Sequence, residues 1–155
     1  MKLHLSKPCR RPPLKNRRAF LAALRRAAKH SGLAERDGEL HVILVDGATI
    51  ADLNETHLGH AGTTDVITFD LAGDPPLPGE SPTLGEIYVC LDVAGETGKR
   101  LGTGTGHETV LYCVHGMLHL AGLDDHKPAD RRKMRAAEAR IMAELRDIRD
   151  FSDMV

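Results

Sequence analysis

Strand-like and helix-like segments alternate along the chain. That alternation predicts a small mixed sheet with helices packed against it, in the α/β or α+β class. Two further observations bound the fold. The 155 residues fit one domain, 1–155, with an extended arm over 1–13 and enough chain for one proper core. Tryptophan is absent and phenylalanine and tyrosine together number five, so that core must be aliphatic. No internal repeat or low-complexity stretch divides the chain.

Each element has a local reason. A short strand over 2–5 runs into Pro8, Pro12 and Pro13, which stop regular structure and leave an extended connection. Residues 14–30 read as a helix whose apolar face is Phe20, Leu21, Leu24, Ala27 and Ala28, with arginines opposite. Ser31-Gly32 ends it. Residues 40–45 are a compact apolar run rich in β-branched side chains, a buried strand, and Asp46-Gly47 is a turn. Thr49 caps a helix over 50–58. A loop over 59–62 precedes a strand over 66–71. Residues 73–82 hold four of the eight prolines and form an exposed loop. In the next strand, 84–91, Ile87, Val89 and Leu91 alternate with Glu86, Tyr88 and Cys90. Asp92 caps a glycine-containing helix to about residue 100, and 102–106 is flexible. The last helix, 128–146, has Pro128 in its first turn and Met134, Ala137, Ile141 and Leu145 along its inward stripe.

The helix over 108–121 is the one that carries chemistry. Val110, Leu111, Val114, Met117 and Leu118 make it apolar almost all round, so it is central and buried. His115 and His119 sit one turn apart on one face, where two neutral imidazoles can share a metal ion. Nitrogen donors at that spacing suit zinc. Gly122 can close the helix in the left-handed conformation. The chain then turns back and offers Asp124, Asp125 or His126 as a third ligand, leaving a fourth position for water.

That arrangement invites comparison with zinc peptidases, whose general base is the glutamate directly after the first histidine. Here Gly116 stands there, and peptide hydrolysis lacks its proton acceptor. A metal-activated water can still attack a phosphodiester. Asp124, Asp125 and His60 are the candidate proton handlers, with His115 both ligand and member of the catalytic set. Asp124 also fits the humbler task of holding a histidine tautomer. Thr64 and Asp65 open a strand and either line the cleft floor or serve as turn and cap. Glu86 either reaches the cleft or faces water. His57 and His107 are read as ordinary surface or hydrogen-bonded histidines.

Composition narrows the setting. Formal charge is −1, so nothing global advertises nucleic acid. Residues 1–36, however, carry eleven Lys/Arg against Glu35 alone, a distribution that suits a phosphate backbone or a solvated helix face. Cys9, Cys90 and Cys113 lack metal spacing and fit free thiols in a reducing compartment. No apolar stretch reaches the ~20 residues that span a bilayer, and no secretory leader is evident. The expectation is a cytoplasmic protein without a membrane partner.

Three blocks carry a resemblance. HGMLHLAGLDDH (115–126) resembles the signature of the bacterial YbeY family of rRNA maturation factors. The run from Leu53-Asn54 through Thr64-Asp65-Val66-Ile67-Thr68-Phe69 resembles a second family block, and Leu84-Gly85-Glu86-Ile87 a third, all in family order. The resemblance implies an α+β fold with a four-stranded sheet and a metal cleft on its helix. It also implies a zinc-dependent endoribonuclease acting on single-stranded RNA in ribosomal RNA processing, with the small ribosomal subunit as partner and no DNA substrate. Nickel or another divalent ion can replace zinc in such a donor set. Two departures stand out. The family places five residues between its second and third histidines, whereas His119 and His126 are separated by six. Register favours Asp125, but residue type favours His126, which is the expected third ligand beside His115 and His119, with Asp125 the alternative. The family also carries an arginine where Leu58 stands, leaving Arg17, Arg18 or Lys99 to supply phosphate charge. That loss keeps two other readings open: an assembly factor with a structural metal, and a metal hydrolase of a small substrate.

Overall fold

The computed structural model describes residues 1–147 and 150–155. Strand β1 (Lys2–Ser6) is followed by α1 (Arg17–His30), β2 (Glu39–Val45) and α2 (Gly47–Leu58). Then come β3 (Val66–Asp70), β4 (Thr83–Cys90), α3 (Leu91–Leu101), α4 (Thr105–Leu120) and α5 (Pro128–Arg146). The four strands form one mixed sheet in the order β1-β2-β4-β3. β1 runs parallel to β2, and β2 to β4, while β3 pairs antiparallel with β4 across the proline-rich loop. The fold is α+β, as expected.

The period-2 pattern decides which side of the sheet each residue serves. Leu5, Leu40, Val42, Leu44, Ile87 and Val89 are buried in one cluster with α1, α4 and α5. Among the described residues the opposite face is covered toward one end, where Ile50 of α2 packs on Val45, Ile67 and Cys90. The expected aliphatic core is therefore two clusters, one on each side of the sheet.

Local caps differ from the expectation in two places. Asp46, not Thr49, caps α2: its carboxylate accepts the Thr49 N–H at 2.9 Å, so the predicted turn is the start of the helix. Asp92 does not cap α3, which begins at Leu91; its Oδ2 instead accepts the Gly47 N–H at 2.7 Å and ties α3 to the first turn of α2. Asn16 caps α1, which starts at Arg17 rather than at residue 14.

α4 is buried along nearly its whole length and packs on α1, α3, α5, β3 and β4. Gly116 shows how close it lies to the sheet. A Cβ there would meet Ile87 Cγ2 at 2.7 Å and Thr68 Oγ1 at 2.8 Å. The position that bears the base in a zinc peptidase has no room here for any side chain. Gly116→Ala is expected to destabilise the protein by about 1–3 kcal/mol through overpacking. Denaturant titration and a Tm lower by roughly 2–4 °C per kcal/mol would register it. A neutral result would mean that α4 can move off the sheet.

Candidate metal centre

α4 ends as Gly122 leads one to expect. Gly122 has φ 105°, its N–H donates to the His119 carbonyl at 2.9 Å, and the Leu123 N–H donates to the Leu118 carbonyl at 3.0 Å. That pair of bonds is the Schellman closure, and it reverses the chain over the last turn of α4. Arg36 Nη1 donates to the Leu120 carbonyl at 3.0 Å, adding a cation at the negative helix end.

The reversal brings one of the three candidate side chains back to the histidines, and it is Asp125. Asp125 Oδ2 lies 3.5 Å from His115 Nε2 and 3.6 Å from His119 Nε2, and the two Nε2 atoms are 3.0 Å apart. A point about 2.0 Å from all three atoms exists, and that is the length zinc takes with imidazole nitrogen and carboxylate oxygen. The donor set could therefore hold one ion through three protein atoms.

His126, the third donor expected by residue type, lies outside this triangle. Its side chain is 85% exposed and its Nε2 lies 3.5 Å from Asp124 Oδ1. Among the three candidates, only the Asp125 carboxylate lies within 4.8 Å of both histidine nitrogens, although the donor atoms of Asp124, Asp125 and His126 are also within 4.8 Å of one another. Asp124 is occupied locally, accepting the Asp125 N–H at 2.7 Å; that bond, together with the nearby His126, holds its carboxyl below the usual range. Asp124 thus shapes the turn, with its carboxylate within 4.8 Å of the Asp125 donor atom.

A fourth residue, which sequence reasoning missed, completes the cluster. Glu138 of α5 contacts His115 Nδ1 through Oε1 at 2.5 Å. The carboxylate fixes the tautomer in which Nδ1 carries the proton and Nε2 is a free donor. Burial works against protonation of His115, but the Glu138 bond and the charges of Glu138, Asp125 and Asp65 outweigh it and raise its pKa. The signal was a carboxylate inside an inward stripe, between Met134 and Ile141, at a position where a helix facing only a core would carry an apolar side chain.

Two clefts meet at the triad. One runs along β3 and the end of α2 and is lined by Leu58, Asp65, Asp70, His119, Asp125 and His126. The other runs under α5 and is lined by Asp65, His115, Asp125, Arg131, Arg135 and Glu138. Asp65 borders both; it accepts the Val66 N–H at 2.8 Å and the Thr64 hydroxyl at 3.3 Å, so Thr64 steadies it. His60 lines neither cleft and sits in the loop after α2, its N–H on the Asn54 carbonyl. His57 packs edge-on against Phe69, and His107 accepts from Arg146 at 2.8 Å. Glu86 accepts the Tyr88 hydroxyl at 2.9 Å on the sheet face away from α4. Of the cations considered for phosphate, Arg17 is committed to the Leu5 carbonyl at 2.6 Å. The arginines beside the triad are Arg131 and Arg135.

An α+β domain that presents two imidazoles and a carboxylate where two clefts join has the makeup of a metal-dependent hydrolase. The comparisons with known proteins agree. The family model described as "Endoribonuclease YbeY" matches residues 10–146. A protein of Elusimicrobium minutum named Endoribonuclease YbeY is 41% identical over 112 residues, covering 72% of this chain and 78% of its own. Its namesake in Salinispora tropica is 36% identical over 140 residues, covering 84% and 88%. A solution structure from Thermotoga maritima shares the fold, with a TM-score of 0.61 at 23% identity over 94% of this chain and 92% of that one. The chain belongs to the YbeY endoribonuclease family, hydrolases of RNA phosphodiester bonds.

Proposed function

We propose that this protein is a zinc-dependent, single-strand-specific endoribonuclease that matures ribosomal RNA, working with the small ribosomal subunit in the cytoplasm. The observation that carries the metal assignment is the triangle of His115 Nε2, His119 Nε2 and Asp125 Oδ2, sized for one ion and backed by Glu138. Family membership supports the RNA substrate. The three free cysteines support a reducing compartment. No helix among the described residues is long and apolar enough to cross a membrane.

The residues divide the work. His115, His119 and Asp125 would hold the ion, which supplies Lewis acidity to a water and to the charged phosphate. Glu138 keeps His115 turned toward the ion. Asp65 borders both clefts and is not one of the proposed ligands, so it is the carboxylate left to take the water's proton. Leu58 brings no charge to the β3 cleft, and the acidic groups there repel a phosphate backbone. Arg131 and Arg135 offset much of the acidic charge of the α5 cleft, whereas no Lys or Arg among the described residues lines the β3 cleft, so the scissile strand lies along α5.

Incubation of the purified protein with single-stranded RNA, with and without chelator, tests the function. Cleavage that stops on metal removal and returns with zinc is the expected result; RNA binding without turnover would sink it and leave the assembly-factor reading. The strand's path has its own test. Arg131→Ala with Arg135→Ala is expected to raise KM and to flatten the dependence of log K on log salt by about 0.7 for each phosphate the two arginines neutralise. An unchanged slope would return the strand to the β3 cleft.

A further inference from the structure

The uncovered half of the sheet's second face carries another cluster of donors, remote from α4. His4 of β1 and His41 of β2 are direct register partners in the parallel pair. Their rings stack with centroids 4.7 Å apart and planes 11° apart. Both Nε2 atoms turn to one oxygen, Glu39 Oε2, at 3.2 Å from His4 and 3.7 Å from His41. Lys2 holds the other carboxylate oxygen, Oε1, at 3.3 Å, which orients the group and leaves Oε2 to the imidazoles. The three donor atoms lie within 4.8 Å of one another.

We propose that His4, His41 and Glu39 form a second divalent transition-metal site, which clips the edge strand β1 to β2. Two imidazoles and a carboxylate suit zinc, nickel or copper rather than magnesium or calcium. The donors stand on hydrogen-bonded strands, so binding has no loop to order; only side-chain rotamers are fixed. The nearly parallel rings must lean together to reach one ion, whereas the α4 donors already stand at bonding separation. The sheet site is also more open, with the His4 side chain 44% exposed. It is therefore the weaker of the two sites. An ion here restrains β1, which among the described residues has β2 as its one strand neighbour. Metal binding to the folded chain alone then raises stability by mass action. The proposal is independent of the catalytic reading.

Nickel or zinc titration of the full chain, read by calorimetry and by thermal melts, tests it. In a background of His119→Ala with Asp125→Ala, one residual ion per chain is expected, with a metal-dependent rise in Tm. Adding His41→Gln or His4→Gln should remove both the residual ion and the rise, while the metal-free melt stays where it was. His4 is an exposed edge residue, so its variant keeps the test open if the His41 variant folds poorly. No residual binding in the background protein would overturn the site. So would residual binding that survives both histidine changes.

Discussion

Asp125→Ala is expected to strip the protein of its metal and its RNA cleavage, while His126→Ala leaves both nearly intact. Asp125 is the side chain that closes the triangle with His115 and His119, and it brings the only formal negative charge among the three donors. Removing it leaves two imidazoles on one helix, a bidentate set with no countercharge. Loss of a partner behind the ligands already costs 10–100-fold in affinity, so loss of a ligand should exceed about 100-fold. His126 lines the β3 cleft but is largely exposed beside Asp124 and is not part of that triangle. Metal content after dialysis and competition with a chromophoric chelator measure both variants; RNA cleavage follows in parallel. Asp125→His should retain the ion, because an imidazole at that register reaches the same corner. If His126→Ala loses the metal and Asp125→Ala keeps it, the turn after Gly122 delivers His126 rather than Asp125 to the ion.

The same turn explains what could be read from the sequence and what could not. α4 was legible because an apolar helix declares itself through local periodicity, and Gly122 because only a glycine takes φ 105° comfortably. The ligand after it was ambiguous. Histidine outranks aspartate as a zinc donor by type, and nothing local states which of two adjacent residues faces inward. The outcome hangs on the backbone path after the Schellman turn, where the Asp125 N–H donates to the Asp124 carboxylate. The cap of α2 is equally undecided along the chain: Asp46 and Thr49 are both good caps, and the hydrogen bond that chooses between them involves both residues. Arg131 and Arg135 were invisible because their distance from the triad is a property of how α5 docks, not of spacing along the chain.

Glu138 belongs to that tertiary class, and its removal is the second large effect expected. Glu138→Ala deletes the acceptor that holds the Nδ1 proton of His115. The ring can then rotate or adopt the other tautomer, which places a proton on the nitrogen the ion needs. Zinc affinity should fall by about 10–100-fold, with cleavage falling at limiting zinc and recovering in part at saturating zinc. Glu138→Gln keeps an acceptor oxygen without the charge, so its loss should be smaller. A purely structural role is separable through the metal-free protein. Because His115 has a raised pKa in the fold, its ion pair stabilises the metal-free chain below the ordinary imidazole range, and that contribution is lost as pH rises through the raised value. Metal-free Glu138→Ala should therefore melt lower than wild type at acid pH and approach it at alkaline pH. The zinc-affinity deficit should instead persist at alkaline pH, where proton competition has ended. Equal zinc affinity at high pH would reduce Glu138 to a partner of the protonated imidazole and remove it from the metal centre.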